Sequence, residues 1–345
     1  MLRGIKMAIE KPKVILTGFM DEGTRHRNKK DILEQMMLLQ ALGLSYYTPR
    51  ALSIHGRDEK NVADLTDSEV TTLVDIHKEY GAKVSSLGTG IGKTKLNDEN
   101  DGSTNKYEAP EKTKERISRA VEIADKVDTK LLRCFSFYPP KDSDLKRYIG
   151  QAVERLAPLV EICEKGRKIY GLEVESNLTG HDAASIMEIY RQINKPATLG
   201  IVYDGANLVV QRIDINAVEE FELMMPGLTW MHIKDYRMGA PVCEGGHVPE
   251  DMLKHFVPAD VGRVNHHAIF EKIKGELPKY VAALSVLGVP GFFLDLEPHL
   301  KGGGQFGGYS GPDGMFVALT ALRRVLDDVG ITYQMRSYDT LVCGR

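Results

Sequence analysis

Glu173, Asp204, His232 and Glu297 each close a short apolar run of the chain: Ile169–Leu172, Leu199–Tyr203, Leu228–Met231 and Phe292–Leu296. Each is followed by turn residues and then by a helical pattern. Two carboxylates, an imidazole and a third carboxylate, arriving from successive strand ends, make a mixed N/O set that suits one divalent cation. The chemistry this points to is metal-assisted work on an oxygen-rich substrate.

The neighbours of these residues sharpen the reading. In GLEVES, Glu173 and Glu175 share one strand face. Side by side they repel unless a cation or a proton intervenes. Leu172 and Val174 face the helices and put Glu173 inside, with Glu175 as the alternative ligand. In YDGAN, Asp204 alone would read as a helix N-cap; beside the other three it reads as a ligand. In WMHIKD, Lys234 shares the His232 face. It either neutralises a substrate oxyanion or pairs with a nearby carboxylate. In DLEPHL, Asp295, Glu297 and His299 share one phase, and a Glu before Pro does not start a helix easily. The Glu297 carboxylate therefore belongs at an open mouth. His299 is a substrate donor or a plain loop residue. Arg133, in LLRCFSF, points inward at substrate hydroxyls or phosphate. Two Gly-rich stretches, Ser85–Lys93 and Gly302–Pro312, lack the dinucleotide and P-loop spacings. The first reads as a tight loop whose backbone approaches a ligand. The second is a phosphate-binding or flexible rim loop.

Eight apolar runs alternate with helical patterns. The first four are Val14–Thr17, Leu44–Tyr47, Lys83–Leu87 and Leu131–Phe135, and the last four carry the candidate ligands. Helices are expected at Asp31–Leu42, Ser68–Tyr80, Pro110–Val127, Asp144–Lys168, Asp182–Gln192, Asn216–Met225, His266–Leu287 and Asp313–Asp328. This alternation implies a parallel sheet. Eight such units close into an α/β (β/α)8 TIM barrel, whose chemistry sits at the C-terminal strand ends. An open doubly wound sheet would place its site at one switch point instead. The expected organisation is one barrel domain over residues 1–345. A long insertion at Arg237–Asn265, between strands 7 and 8, acts as a lid or a partner-contact loop. Asn97–Asn105 is polar and should be an exposed loop.

Bulk properties remove other classes. The 345 residues are 42% hydrophobic and 27% charged, with a net charge of −3, so no basic field is present to hold nucleic acid. Cys134, Cys163, Cys243 and Cys343 lack zinc or redox spacing, which fits a reduced, cytoplasmic protein. Met1–Pro12 has no apolar signal core, and no stretch approaches a membrane span.

GLEVESNLTGH, IVYDGAN, MHIKDY, LEPHL, GGYSGPDGMF and VSSLGTGIGK together resemble the xylose-isomerase-like barrel superfamily of sugar isomerases and epimerases. The resemblance to the superfamily spans roughly Val14–Tyr333, and LEV…GH is similar to the tagatose/psicose 3-epimerase pattern, which places the first ligand at Glu173. That resemblance implies metal ligands at Glu173, Asp204, His232 and Glu297, with Glu173 and Glu297 also moving the proton. It implies a ketose or sugar-phosphate substrate and one divalent ion: Mn2+ first, with Mg2+, Co2+ or Zn2+ as alternatives. The expected partners are a small carbohydrate, a second copy of the chain and a partner subunit at residues 237–265. Nucleic acid and membrane are not expected. One departure is Asn207, where that branch has a His. Superfamily members that eliminate, dehydrating keto-inositols or cleaving C-glycosides, share the first step. An abasic-site endonuclease and a non-catalytic sugar-binding barrel complete the alternatives.

Overall fold

Val, Ile, Leu, Phe and Trp fill the predicted runs, and such residues suit a parallel sheet covered on both faces. In a computed structural model of the chain these runs form β1 (Val14–Gly18), β2 (Tyr46–Tyr47) and β3, split into Lys83–Val84 and Ser86–Gly88. They continue as β4 (Leu131–Cys134), β5 (Ile169–Glu173), β6 (Leu199–Asp204), β7 (Leu228–Ile233) and β8 (Phe292–Leu296). Every residue of β1 and of β4 to β8 is buried. The structure describes residues 13–24, 30–56, 58–243, 250–300 and 310–336. Most of Gly302–Pro312, six residues of the insertion (244–249) and Cys343 lie outside these.

The sheet runs in the order β1, β8, β7, β6, β5, β4, β3, all parallel, and curls into the TIM barrel expected from the alternation. β2 joins it through Tyr46↔Lys83 and Tyr47↔Val84. Closure between β1 and β2 is thin. The Thr48 N–H donates to Gly18 O at 3.0 Å, and Tyr333–Gln334 pairs with the start of β1.

The helices begin and end where local chemistry dictates. Thr66 and Glu69 form a capping box at the helix Asp67–Tyr80, and Gly81 ends it at φ 60°. Pro110 opens the helix Pro110–Lys126. The expected single helix over His266–Leu287 is two helices, His266–Lys274 and Leu277–Val286. The break falls at Gly275–Glu276, and a proline occupies the first turn of the second helix. Asp144–Lys168 likewise starts as a 3-10 turn at Leu145–Tyr148 before the α-helix at Ile149–Lys165.

The insertion after β7 is anchored by one buried carboxylate. Asp235 Oδ1 accepts from Tyr236 N at 2.7 Å and Val264 N at 2.9 Å, and Oδ2 faces His266 Nδ1 at 3.2 Å. Asp235–Tyr236 pairs antiparallel with Phe256–Val257. Both ends of the loop are thus tied to the barrel mouth, and Phe256 is turned over the strand ends. Among the described residues no helix is long and apolar enough to cross a membrane.

Candidate functional site

Strand alternation and register bring the four predicted residues together. His232 lies beside Asp204 across the β6–β7 ladder and beside Asp295 across β7–β8. Glu173 ends β5, and Glu297 follows β8 directly. One potential ligand atom from each of Glu173, Asp204, His232 and Glu297 lies within 4.8 Å of the others, and all four residues are buried. His232 Nδ1 faces the carboxylates: Glu173 Oε1 at 3.1 Å, Glu297 Oε2 at 3.5 Å and Asp204 Oδ2 at 3.9 Å.

Two of the remaining oxygens, one on Asp204 and one on Glu297, are committed elsewhere. Asp204 Oδ1 caps Gly205–Val209 by accepting from Ala206 N at 3.0 Å and Asn207 N at 3.1 Å. The N-cap reading and the cluster reading of Asp204 both hold, one for each oxygen. Glu297 Oε1 accepts from Arg50 Nη1 at 2.6 Å. Asn207 Nδ2 donates to Glu173 Oε1 at 3.3 Å and to Val174 O at 3.2 Å, so it orients the carboxylate from the turn. Asp204 Oδ2 and Glu173 Oε2 are buried without a hydrogen-bond partner. Three buried carboxylates, two with an orphaned oxygen, and one imidazole nitrogen fit a divalent ion by donor chemistry and by spacing.

The electrostatics follow from burial and mutual contact. Burial alone would lower His232, but the Glu173 and Glu297 carboxylates raise it to about 10. Burial works against the charged form of Glu173, yet His232 and Arg133 bring it to about 2. Burial raises Asp204 to about 6, opposed by Lys234. Glu297 would also be raised by burial, but Lys234, His232, His299 and Arg50 hold it well below the usual range. Below the cluster, burial raises Asp295 to about 7. Asp295 accepts from Thr48 Oγ1, which also contacts Ser85 Oγ at 2.9 Å inside the barrel.

The other predicted residues separate. Glu175 is outside the cluster; it pairs at the rim with Lys93 Nζ at 2.6 Å. Arg133 is buried between the faces of Phe19 and Phe135, at 5.2 and 4.6 Å from guanidinium carbon to ring centre, with Nε 3.5 Å from Glu173 Oε2. Lys234 Nζ lies 2.9 Å from Asp204 Oδ2 and 3.3 Å from Glu297 Oε2. His299 pairs with Glu22, Nδ1 to Oε1 at 2.8 Å, and forms with Glu22 and Glu297 a second group whose potential ligand atoms lie within 4.8 Å of one another. The Gly-rich loop after β3 spends its freedom on packing. Gly92 is at φ +82°, and a Cβ there would sit 2.1 Å from Phe135 O. That space serves the neighbouring backbone, although Gly88, Thr89 and Gly90 do line the cavity.

A cavity of about 620 Å³ opens above the cluster, within the range of small-molecule sites. Glu173, Lys234, Glu297, Arg133 and His299 line it, and Leu253 and Phe256 reach it from the insertion. Sequence reasoning missed Arg50 with Asp21 and Glu22. Arg50 Nε donates to Asp21 Oδ2 at 2.9 Å, and Nη2 donates to Glu22 Oε1 at 3.2 Å. The basic residue sits alone after Pro49 on the short second strand unit, with no spacing that marks it.

A parallel barrel carrying buried carboxylates and an imidazole at its C-terminal strand ends belongs to the class of α/β barrels with a candidate site at the mouth. The model of the xylose isomerase-like TIM barrel family matches residues 20–279, and the chain belongs to that family. Solved structures agree in fold. A xylose isomerase-like TIM barrel protein from Mycobacterium smegmatis in complex with magnesium is 17% identical, with a TM-score of 0.61, covering 93% of this chain and 97% of that one. The probable 3-DHS dehydratase of petrobactin synthesis from Bacillus anthracis is 15% identical, with a TM-score of 0.59 and coverage of 90% and 98%. D-psicose 3-epimerase from Clostridium cellulolyticum H10 is 12% identical, with a TM-score of 0.56 and coverage of 93% and 100%. At these identities the likeness is one of fold. No curated protein matches the sequence.

Proposed function

We propose that the protein is a metal-dependent sugar isomerase or epimerase acting on a ketose or sugar phosphate, with Glu173, Asp204, His232 and Glu297 as the metal ligands. The observation that carries this reading is the approach of their four ligand atoms to within 4.8 Å in a buried mouth. A divalent ion there, Mn2+ by preference, supplies Lewis-acid stabilisation of negative charge on a substrate carbonyl. Asp204 and His232 serve as holders. Glu173 takes the proton from the carbon next to the carbonyl, and Glu297, once protonated from solvent on the oxygen that Arg50 holds, delivers one to the opposite face or the neighbouring carbon. Glu173 Oε2 has no hydrogen-bond partner, which supports its role as the base. Arg133, Lys234 and His299 line the cavity and bind substrate oxygens.

Elimination is the second reading. Asn207 stands where the 3-epimerase pattern has a His, and the fold is shared with a probable dehydratase. Both reactions begin with the same proton loss. We read the chain as one barrel domain that self-associates, with residues 237–265 as lid or partner surface. The exposure of Met238 and Val261 supports the latter. The test is a screen of ketoses, keto-inositols and 3-keto-glycosides in D2O with Mn2+. Deuterium uptake at one carbon, lost in Glu173→Gln and Glu297→Gln, is the expected result. Full uptake in both variants would overturn the assignment.

A further inference from the structure

We propose that Lys234 and the bound metal compete for the same two carboxylate oxygens, and that metal binding turns the Lys234 ammonium into the cavity as a donor to substrate. The inference rests on the metal-site reading above. Asp204 Oδ1 is consumed by Ala206 N and Asn207 N, and Glu297 Oε1 by Arg50 Nη1. Each of these carboxylates therefore has one oxygen left for an ion, and those are the oxygens that face His232 Nδ1. Lys234 Nζ lies against both, at 2.9 and 3.3 Å.

The contact is built to be traded. Asp204 Oδ2 has no hydrogen-bond partner even though the ammonium is 2.9 Å away, so this is a charge contact of poor hydrogen-bond geometry. Lysine carries a compact charge on a flexible four-carbon stem and can swing while staying protonated. A divalent ion and an ammonium drawing on the same lone pairs repel one another at short range. Once displaced, the ammonium has the open side of the site to move into, because Lys234 already lines the cavity beneath Phe256, 5.7 Å from its ring centre. There it meets negative charge developing on a substrate oxygen as the proton passes to Glu173, and it donates a hydrogen bond without giving up its own proton. Lys93, which is also close to a glutamate of this mouth, is held at the rim by Glu175 and is paired with neither oxygen. The two readings of Lys234, ion pair and oxyanion donor, are thus successive states of one side chain.

The test is titration calorimetry with Mn2+ on chelator-stripped full-length protein, with circular dichroism as the check on folding. Lys234→Met, which removes the charge and keeps the length, should bind Mn2+ at least tenfold more tightly than wild type. Lys234→Arg should bind no more tightly than wild type, and Lys93→Met should leave affinity unchanged. In wild type, amine-directed labelling read by mass spectrometry should find Lys234 protected in stripped protein and reactive after Mn2+ loading. Wild-type binding that Glu173→Gln abolishes but Lys234→Met leaves unchanged or weakened overturns the competition alone. Absence of Mn2+ binding in wild type and in Lys234→Met overturns the metal reading and this inference with it. If Lys234→Met does not fold, the labelling decides, and unchanged reactivity on loading overturns the proposal.

Discussion

The two sides of the barrel are built differently. From β4 to β8 the strands are four to six residues long and fully buried, and each neighbour is joined by a parallel ladder. This side delivers Glu173, Asp204, His232 and Glu297. From β1 to β3 the wall is thinner. β2 has two residues, β3 is broken at Ser85, and β1 is reached by the Thr48 N–H just past β2, which donates to Gly18 O. This side delivers Arg50, Asp21, Glu22 and Thr48. Regular ladders hold the proposed ligand atoms to the tolerance that a metal would demand. The irregular side supplies charge and hydroxyl groups that tune the cluster without belonging to it.

Four experiments break or sharpen that contrast. The largest effect is expected on the regular side. Asp204→Asn should lose bound metal and lower turnover by more than about 100-fold, because even outer-shell partners cost 10- to 100-fold. Metal content and deuterium exchange measure it, and a variant that keeps both would dissolve the distinction between the sides.

The second concerns the irregular side and acid. His77 is buried against Tyr47, with Nε2 2.7 Å from the Tyr47 hydroxyl, and burial lowers it to about 4. Its folded value lies below the unfolded value of about 6.5, so its stabilising effect is complete above pH 6.5. That effect is lost as the pH falls towards 4, and it amounts to about 3 kcal/mol at most. Urea unfolding at stepped pH should show the loss, and His77→Gln should flatten it. An unchanged slope in the variant would place the acid sensitivity elsewhere.

The third is a matter of packing. A Cβ on Gly171 of β5 would sit 1.9 Å from Trp230 Cη2 of β7, whereas one on Gly90 meets nothing within 4 Å. Gly171→Ala should cost about 1–3 kcal/mol by overpacking. Gly90→Ala should melt with wild type. Equal melting temperatures for the two variants would deny that the regular side is the tightly packed one. The smallest effect is expected at the rim, where Glu175→Gln should keep its metal and stay within about tenfold of wild-type turnover, since exposed pairs contribute at most about 1 kcal/mol. Loss of metal in that variant would return Glu175 to the ligand set.

The contrast also explains what could be read in the chain. Runs that feed long ladders are long enough to show apolar continuity, and a carboxylate or imidazole at or next to the end of each stands out against it. That is why Glu173, Asp204, His232 and Glu297 are visible as a series. β2 is too short to show a period, so Arg50 and Thr48 carry no signal. Pairs formed between distant units, such as Arg50 with Asp21 and Glu297, have no trace in spacing at all.

By itself the sequence determined the alternation of strand and helix, hence the barrel, and the residue types at the strand ends, hence the donor set. These follow from local periodicity and from burial of every second or every residue in a strand. Only the tertiary structure decided which oxygen of each carboxylate is spent. One oxygen of Asp204 caps a helix and one of Glu297 is taken by Arg50, while Glu175 goes to the rim and Lys234 to the cluster. Those choices depend on strand register and on contacts between units far apart in the chain, and register is set by how the whole sheet closes.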